Sequence, residues 1–577
     1  MAGPKPRSDN VQRLLDQASA QWAQRDSIAA IANYRRVLAA QPKSFAALVN
    51  LALILAELGQ RKEAEALYQR AILAEPRRPE PLYNLGEMLR QTSRLDEALV
   101  KFDAALALQP EHVKAMFGRM ITLRHLRRFD EAKATCARAL ELEPDHLGAL
   151  YQGLKMAQHR GDFADAALMH RRLAETLPET IPQTRLLMIT ANIAYVQLFA
   201  PWGPEIARLL SDRLGELILA QAKRNALTPP RPAPASGRRL RIGYLSPNWG
   251  NHPVGHVTRS FFQRHDRTRV EVFGYTTKDR GKDRGIFHAD LAKSFDHYVD
   301  LTGLPPAQAA RRIAQDRIDV LIDVDGFMDM VSPPILAHRP APVQVFWLGH
   351  AGGLGLPFVD YLIADHRVVR DDEVKTYREA VVRVPGVYHP ADLHPVDAVT
   401  PTRASEGLPE HGIVFCAFNN PQKIDAQVFA AWMRILAGVP GSVLWLTDHN
   451  KHSDPKPMLR AAASQAGVDP ARLIFARHRP EKSVHLARHR CADLFLDTFV
   501  MNAATTALDA LSVGLPVLTR PGARFGERMA GSFITELGCT SLLCDSTEHY
   551  VARAIELAGD PQQRQALRQT LSAALAA

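Results

Sequence analysis

Cysteine is scarce, with five in 577 residues: Cys136, Cys416, Cys491, Cys539 and Cys544. They stand apart without metal-ligand spacing, which excludes a disulfide scaffold and a structural zinc module. The thiols are expected to be buried, in a reducing compartment. Long apolar runs are absent too. No stretch approaches the about 18 apolar residues of a membrane span, and the start, MAGPKPRSDNVQRLLDQ, lacks the apolar core of a signal peptide. A cytoplasmic protein without a membrane span is expected. The formal charge of +10 is not gathered into a basic tract interleaved with aromatics, which make up only 7% of residues, so no nucleic-acid partner is implied.

What is present is ordinary for soluble globular domains, 46% hydrophobic and 23% charged, in a chain too long for one core. Pro42, Pro76, Pro110, Pro144 and Pro178 recur every 34 residues. Ala30, Ala64, Ala98, Ala132 and Ala166 keep the same phase. Tyr34, Tyr68 and Phe102 fill one large slot, and Leu14, Leu48, Leu82, Met116 and Leu150 fill another. Small residues where two helices cross, with proline after the second, resemble the tetratricopeptide repeat. About four full repeats and one less regular one are predicted over residues 11–178. Stacked repeats form a groove that binds peptide. Asn50 and Asn84 share one position on the first helices, where an amide can bond both groups of a peptide backbone. Gly118 and Gln152 interrupt that ladder. The repeats also offer a surface for self-association.

From about Glu179 the pattern stays helical but loses phase, and Thr228 to Arg239, TPPRPAPASGRR, is a stiff linker. Residues 179–238 are therefore a bridge. Strand-length apolar runs then alternate with helices. One group holds Leu240–Leu245, Val270–Tyr275, Val320–Val324, Val343–Leu348 and Tyr361–Ala364. The other holds Ile413–Ala417, Val443–Leu446, Leu473–Phe475, Leu494–Leu496 and Val517–Thr519. Two groups of five predict two doubly wound, Rossmann-like domains, residues 239–400 and 401–577, with ligands at the carboxyl ends of the strands.

The residues after those strands carry the chemistry. The stretch Leu496 to Gly522 places Asn502, Ala503, Ala504, Thr505 and Thr506 between a strand and a predicted helix over 507–513. Free N–H groups at a helix start can hold a phosphate there. His252 and His256 follow the first strand, Asp325 and His350 the third and fourth. Asn420 and Lys423 follow the strand at 413–417, and Lys482 and His485 the one at 473–475. A lysine, a helix start and a facing histidine suit a nucleotide diphosphate without a metal.

The strings HPVGH (252–256), RPAPVQVFWLG (339–349), FNNPQKID (418–425), VPGSVLWL (439–446) and ADLFLDT with TTALDAL (492–511) resemble the protein O-GlcNAc transferase and SPINDLY family over nearly the whole chain. That resemblance implies an α-helical tetratricopeptide-repeat superhelix followed by an α/β GT-B glycosyltransferase. It implies an inverting, metal-independent, cofactor-free transfer of a sugar to Ser or Thr of proteins chosen by the repeat groove. The nucleotide sugar is UDP-GlcNAc by default.

Position by position, the resemblance gives His252 and Lys423 as catalytic, His252 near the transferred sugar and phosphates and Lys423 on the leaving diphosphate. Asn420 stands where relatives often have glutamine. Thr505 and Thr506 would hold phosphate, Asp509 the ribose, Lys482 and His485 the base, with His256, Asp325 and His350 behind them. Departures are Ala503 and Ala504 before the paired threonines, His350, Ala351 and Gly352 after the RPAP strand, Phe327 and Met328 after the Asp-Gly turn, and a base-binding loop one residue longer. The family's returning last helix is also not read before Ala577. GDP-fucose or another nucleotide sugar used on bacterial surface or flagellar proteins is therefore an alternative donor, and a catalytically silent repeat scaffold an alternative role.

Overall fold

The computed structural model describes residues 8–24, 26–223, 227–228, 237–278, 288–328, 330–392, 394–397, 401–448 and 454–576. Most of the proline-rich linker (229–236) and the boundary at 398–400 between the two predicted sheet domains lie outside the described residues. The chain divides into two compact units, 1–156 and 157–577.

The first unit is built of helical hairpins. Helices Ser27–Ala40, Arg61–Ala74, Leu95–Leu108 and Phe129–Leu142 each stop two residues before a phased proline, which can neither donate nor continue a helix. Ala30, Ala64, Ala98 and Ala132 are wholly buried at the crossings. Close approach is real: a Cβ on Gly118 would stand 2.5 Å from the Phe102 ring. The turn inside successive hairpins repeats a left-handed residue in phase, Gly59, Ser93, Arg127 and Gly161, with φ of 79, 61, 62 and 70°. Glycine takes this conformation freely; serine and arginine do so at roughly 1 kcal/mol. The fifth phased proline behaves differently, because Pro178 lies inside the helix Phe163–Thr180 rather than after it.

The second unit holds two parallel sheets. The first contains β1 (Leu240–Ser246), β2 (Val270–Thr276), β3 (His297–Asp300), β4 (Val320–Asp323), β5 (Val343–Phe346), β6 (Tyr361–Ala364) and β7 (Ala380–Arg383), in the order β3-β2-β1-β4-β5-β6-β7. The second contains β8 (Val414–Ala417), β9 (Val443–Thr447), β10 (Leu473–Ala476), β11 (Leu494–Leu496) and β12 (Val517–Leu518), in the order β10-β9-β8-β11-β12. The first sheet thus has seven strands where five were expected. β3 and β7 are its edges, largely exposed and carrying His297, Asp300 and Arg383, so they lack the apolar run that marks a central strand.

Specific contacts tie the two sheet domains together. Arg528, 5% exposed, donates to both Glu373 oxygens at 3.0 and 2.6 Å, and the Ser532 hydroxyl donates to the buried Asp365 at 2.9 Å. The helix Phe163–Thr180 and the segment after it pack on the second sheet domain, with the Phe163 and Phe429 rings 5.3 Å apart and Arg524 donating to the Ala200 carbonyl at 2.5 Å. The last helix, Pro561–Ala576, seats Leu567 and Leu571 in the core of the second sheet domain.

Candidate active site

The site grows from the end of β11. Asp497, the next residue, is wholly buried, and its carboxylate accepts from the N–H groups of Thr498 (2.8 Å) and Ala503 (2.7 Å) and from the Thr519 hydroxyl (2.7 Å). These bonds fold residues 497–503 back on themselves. Burial pushes the Asp497 carboxyl up to about 6 despite them. Asn502 donates to the Thr498 carbonyl at 2.7 Å and from its own N–H to Gly526 at 2.8 Å, which fixes its carbonyl.

That carbonyl accepts from Lys423 Nζ at 2.8 Å. The lysine comes from the 3-10 turn Pro421–Lys423 after β8, so the topology brings it beside the turn that precedes helix Thr505–Ser512. Burial lowers the Lys423 ammonium to about 8, and the Asp497 charge pulls the other way. The cap residue Ala504 makes no side-chain hydrogen bond to the helix start. Lys423 Nζ is thus held at the Asn502 carbonyl, three residues before the helix start, and a cation held close to free helix N–H groups is a combination suited to a phosphate.

Thr505 lines a cavity of about 140 Å3, while the Thr506 hydroxyl donates to Asn419 Oδ1 at 2.8 Å. What Thr506 offers a ligand is then its N–H. Asp509, 8% exposed, receives Lys482 Nζ at 2.6 Å on both oxygens and has His485 Nε2 at 3.6 Å. Burial would raise this carboxyl, but His485 and Lys482 hold it well below the usual range. It is a fixed anion able to accept from hydroxyls.

The cavity also has walls from the first sheet domain: His256, His389, Asp392 and His394. His252 caps the short helix Pro253–Thr258, its Nδ1 accepting from Val254 N–H at 3.3 Å. His256 is held at about 3 by burial and by the neighbouring charges of Lys482 and His394. His256 and Lys482 line the same cavity from the two sheet domains. Asp325, buried, accepts from Asn248 Nδ2.

Other sequence candidates sit differently. Asn420 is exposed and caps its own turn, accepting from Gln422 N–H at 3.1 Å. His350 is 2% exposed with its ring 5.0 Å from Phe327, and burial holds it at about 3. In the repeats, Asn50 donates to the Tyr34 hydroxyl at 3.2 Å, and Asn84 is half-buried on helix Glu80–Gln91. Asp497, Asn419 and the segment bearing His389, Asp392 and His394 were not singled out from sequence. Asp497 alone left a signal, as an acid directly after a buried strand.

Four buried histidines carry a stability consequence. Burial holds His350 and His489 at about 3 and His170 and His389 at about 4. The unfolded chain takes up these protons below about 6.5, the folded one not until about 3 to 4, so stability falls as pH drops through that window. Asp323 and Asp497, raised by burial to about 6, act in the opposite sense, as do Asp425 and Glu379, whose carboxyls burial also raises, while His256, held at about 3, adds to the histidine side. Melting followed from pH 7.5 to 6 should show a loss on the order of 2 kcal/mol; an unchanged Tm would contradict it.

Comparison with known proteins gives the family and the fold. A model of glycosyl transferase family 41 matches residues 162–394 and 389–576, and tetratricopeptide-repeat models match residues 15–78, 55–113 and 89–158. A probable UDP-N-acetylglucosamine–peptide N-acetylglucosaminyltransferase, SEC, of Arabidopsis thaliana is 33% identical over 343 residues, 58% of this chain and 35% of its own. A UDP-N-acetylglucosamine–peptide N-acetylglucosaminyltransferase of Caenorhabditis elegans is 28% identical over 438 residues, 56% of this chain and 38% of its own. The chain thus spans little more than a third of the length of these curated relatives. Its fold matches a solved O-GlcNAc transferase mutant of Thermobaculum terrenum with a TM-score of 0.59 at 24% identity, over 99% of this chain and 94% of the other. Among the described residues no helix is long and apolar enough to cross a membrane.

Proposed function

The chain belongs to glycosyl transferase family 41, and on that footing we propose that it moves a sugar, N-acetylglucosamine from UDP-N-acetylglucosamine by default, to a Ser or Thr hydroxyl of a polypeptide. The observation that carries this reading is Lys423 Nζ at 2.8 Å from the Asn502 carbonyl, beside the start of helix Thr505–Ser512. A leaving diphosphate gains negative charge as the sugar bond breaks. A fixed cation and fixed N–H dipoles in a closed cleft stabilise that charge without reorganising.

The rest of the cleft takes the remaining parts of the donor. Asp509 receives the ribose hydroxyls, and Lys482 and His485 stand beside it toward the base. The acceptor oxygen attacks the anomeric carbon from the face opposite the diphosphate, so the configuration inverts. His252 stands as the acceptor of the hydroxyl proton or a donor to the phosphates. Lys423 supplies the charge that a metal supplies elsewhere. The five buried free thiols fit a reducing, cytoplasmic setting.

A thermal-shift panel of UDP-, GDP- and CMP-sugars tests the donor. UDP-N-acetylglucosamine at about a hundred times its Kd should add about 2.7 kcal/mol of stability. A shift with GDP-fucose alone would reassign the donor, and no shift with any of them would reject the transferase reading.

The Lys423 ammonium at about 8 in the free protein sets a further expectation. It is charged below that pH and neutral above it, so kcat/KM for the donor should fall about tenfold for each pH unit above 8. A flat profile to pH 10 would remove Lys423 from the chemistry.

A further inference from the structure

The first helices of the hairpins, which line the inner face of a stacked array, include Phe45–Glu57, Glu80–Gln91, Val113–His125 and Leu147–Arg160. Along them the ladder of backbone-clamping amides is broken. Asn50 donates to Tyr34, and the phased positions that follow are Asn84, Gly118 and Gln152. Gly118 offers no side chain, and Glu87 takes up its space: a Cβ there would stand 2.5 Å from Glu87 Oε1.

What the face offers instead is positive charge. Arg90 and Arg124 stand in phase, 34 residues apart, and Lys155 lies on the next first helix. Arg90 is neutralised by Glu87 at 2.7 Å. Arg124 and Lys155 have a different setting. Arg124 donates to the ring nitrogen His125 Nε2 at 2.8 Å, and Lys155 Nζ stands 5.9 Å from the centre of the Tyr151 ring. The charged side chain that acts on Arg124 is Arg90, and the one that acts on Lys155 is Arg124, all of one sign. Burial and this repulsion bring the Lys155 ammonium down to about 8 and pull Arg124 below its ordinary range.

Elsewhere in the array cations hold their own acids. Arg35, Arg78, Arg94, Arg119, Arg128 and Arg138 each have a carboxylate at 2.5–2.9 Å. A half-buried cation with no carboxylate acting on it is unfavourable in the free protein, and an anion from outside relieves it. The surroundings of the two cations say what carries that anion. Tyr83, Phe117 and Tyr151 fill one phased position on three successive first helices, half-buried or buried, with His112 and His146 packed on Tyr83 and Phe117 at 5.3 and 5.4 Å. An aromatic row beside two cations fits a polypeptide whose acidic side chains alternate with apolar ones. A nucleic acid draws its affinity from many phosphate contacts along a longer basic track.

We propose that the inner face formed by helices Glu80–Gln91, Val113–His125 and Leu147–Arg160 docks an acidic segment of a partner polypeptide, with neighbouring carboxylates on Arg124 and Lys155 and apolar side chains on Phe117 and Tyr151. These residues lie within the first compact unit, 1–156, and the inference does not depend on the transferase reading. It adds a preference that a backbone clamp lacks, because the docked segment is chosen by its charge.

The test uses the full chain and pools of short, fluorescently labelled peptides with capped ends, carrying paired glutamates, glutamines or lysines between leucine or phenylalanine. At low salt, fluorescence anisotropy should show the glutamate pool binding about tenfold more tightly than the glutamine pool, with the gap narrowing as salt is raised. Arg124→Gln with Lys155→Gln should remove that advantage, with melting cooperative and Tm unchanged or higher, since two half-buried charges are gone. Lys155→Gln alone should remove part of it. Arg124→Glu with Lys155→Glu should turn the preference over to the lysine pool, a change that a merely structural role does not produce. Equal binding of the glutamate and glutamine pools by the wild type, or an acid preference that survives the paired glutamine substitutions, overturns the proposal. So does a single-stranded oligonucleotide that outcompetes the glutamate pool. Charge-dependent binding by a protein that moves no sugar would reject the transferase reading alone and leave this surface standing.

Discussion

Lys423→Ala should reduce sugar transfer about a thousandfold, the effect of removing a group that meets charge developing in the transition state. The side chain is partly buried, its ammonium held by one carbonyl, Asn502 O, at 2.8 Å. Burial has already lowered its proton affinity to about 8. A cation desolvated to that degree is costly to the fold unless an anion arrives, and on the proposed reading that anion is the donor's diphosphate. Deleting it loses one hydrogen bond, about 1 kcal/mol, against the relief of the burial cost, so Tm should stay within a few degrees. Lys423→Arg should not restore turnover, because a planar guanidinium cannot occupy the position of a compact ammonium. Single-turnover assays on the three proteins read this directly. Transfer at wild-type rate by Lys423→Ala would remove the lysine from its assigned role.

The second large effect belongs to a residue that touches no ligand. Asp497→Ala should destabilise the protein by about 3–5 kcal/mol and abolish donor binding with it. Three donors lose their acceptor at once, the N–H groups of Thr498 and Ala503 and the Thr519 hydroxyl. Each orphaned buried donor costs about 1–3 kcal/mol. The same bonds define the loop that aims the Asn502 carbonyl at Lys423. Asp497→Asn keeps the shape, but one of its side-chain positions becomes a donor facing another donor, so an intermediate loss is expected. Chemical denaturation gives the stability and UDP-sugar titration the binding. Wild-type values in both would show that the loop holds itself without the carboxylate.

Much of the architecture was legible because its signals are periodic. The 34-residue phase put Ala30, Ala64, Ala98 and Ala132 at the helix crossings, and all are wholly buried. The phase fades at the fifth repeat, where Pro178 sits within a helix and Ala166 turns to a cavity instead of a neighbouring hairpin. Ten strands were readable as apolar runs. β3 and β7 were not, since an edge strand facing water has no such run.

At the site, candidate residues that follow strands could be named in advance, and the structure brings Lys482 and His485 to Asp509. The residues that position them could not. Asn419 holds the Thr506 hydroxyl and Asp497 the loop, but each acts through contacts with residues 22 to 87 positions away or through a folded turn. Asn50 shows the reverse. Its place on the inner helix suggested a peptide clamp, and its amide donates to Tyr34, a contact between neighbouring helices that the repeat position alone does not reveal.

The most direct measurement is mass spectrometry of a serine-containing polypeptide incubated with UDP-N-acetylglucosamine and either the wild-type protein or Lys423→Ala. The wild type is expected to add one N-acetylhexosamine to a serine or threonine while Lys423→Ala leaves the polypeptide unmodified. No adduct from the wild type with any nucleotide sugar, or the same adduct from both proteins, would contradict the assignment of this cleft.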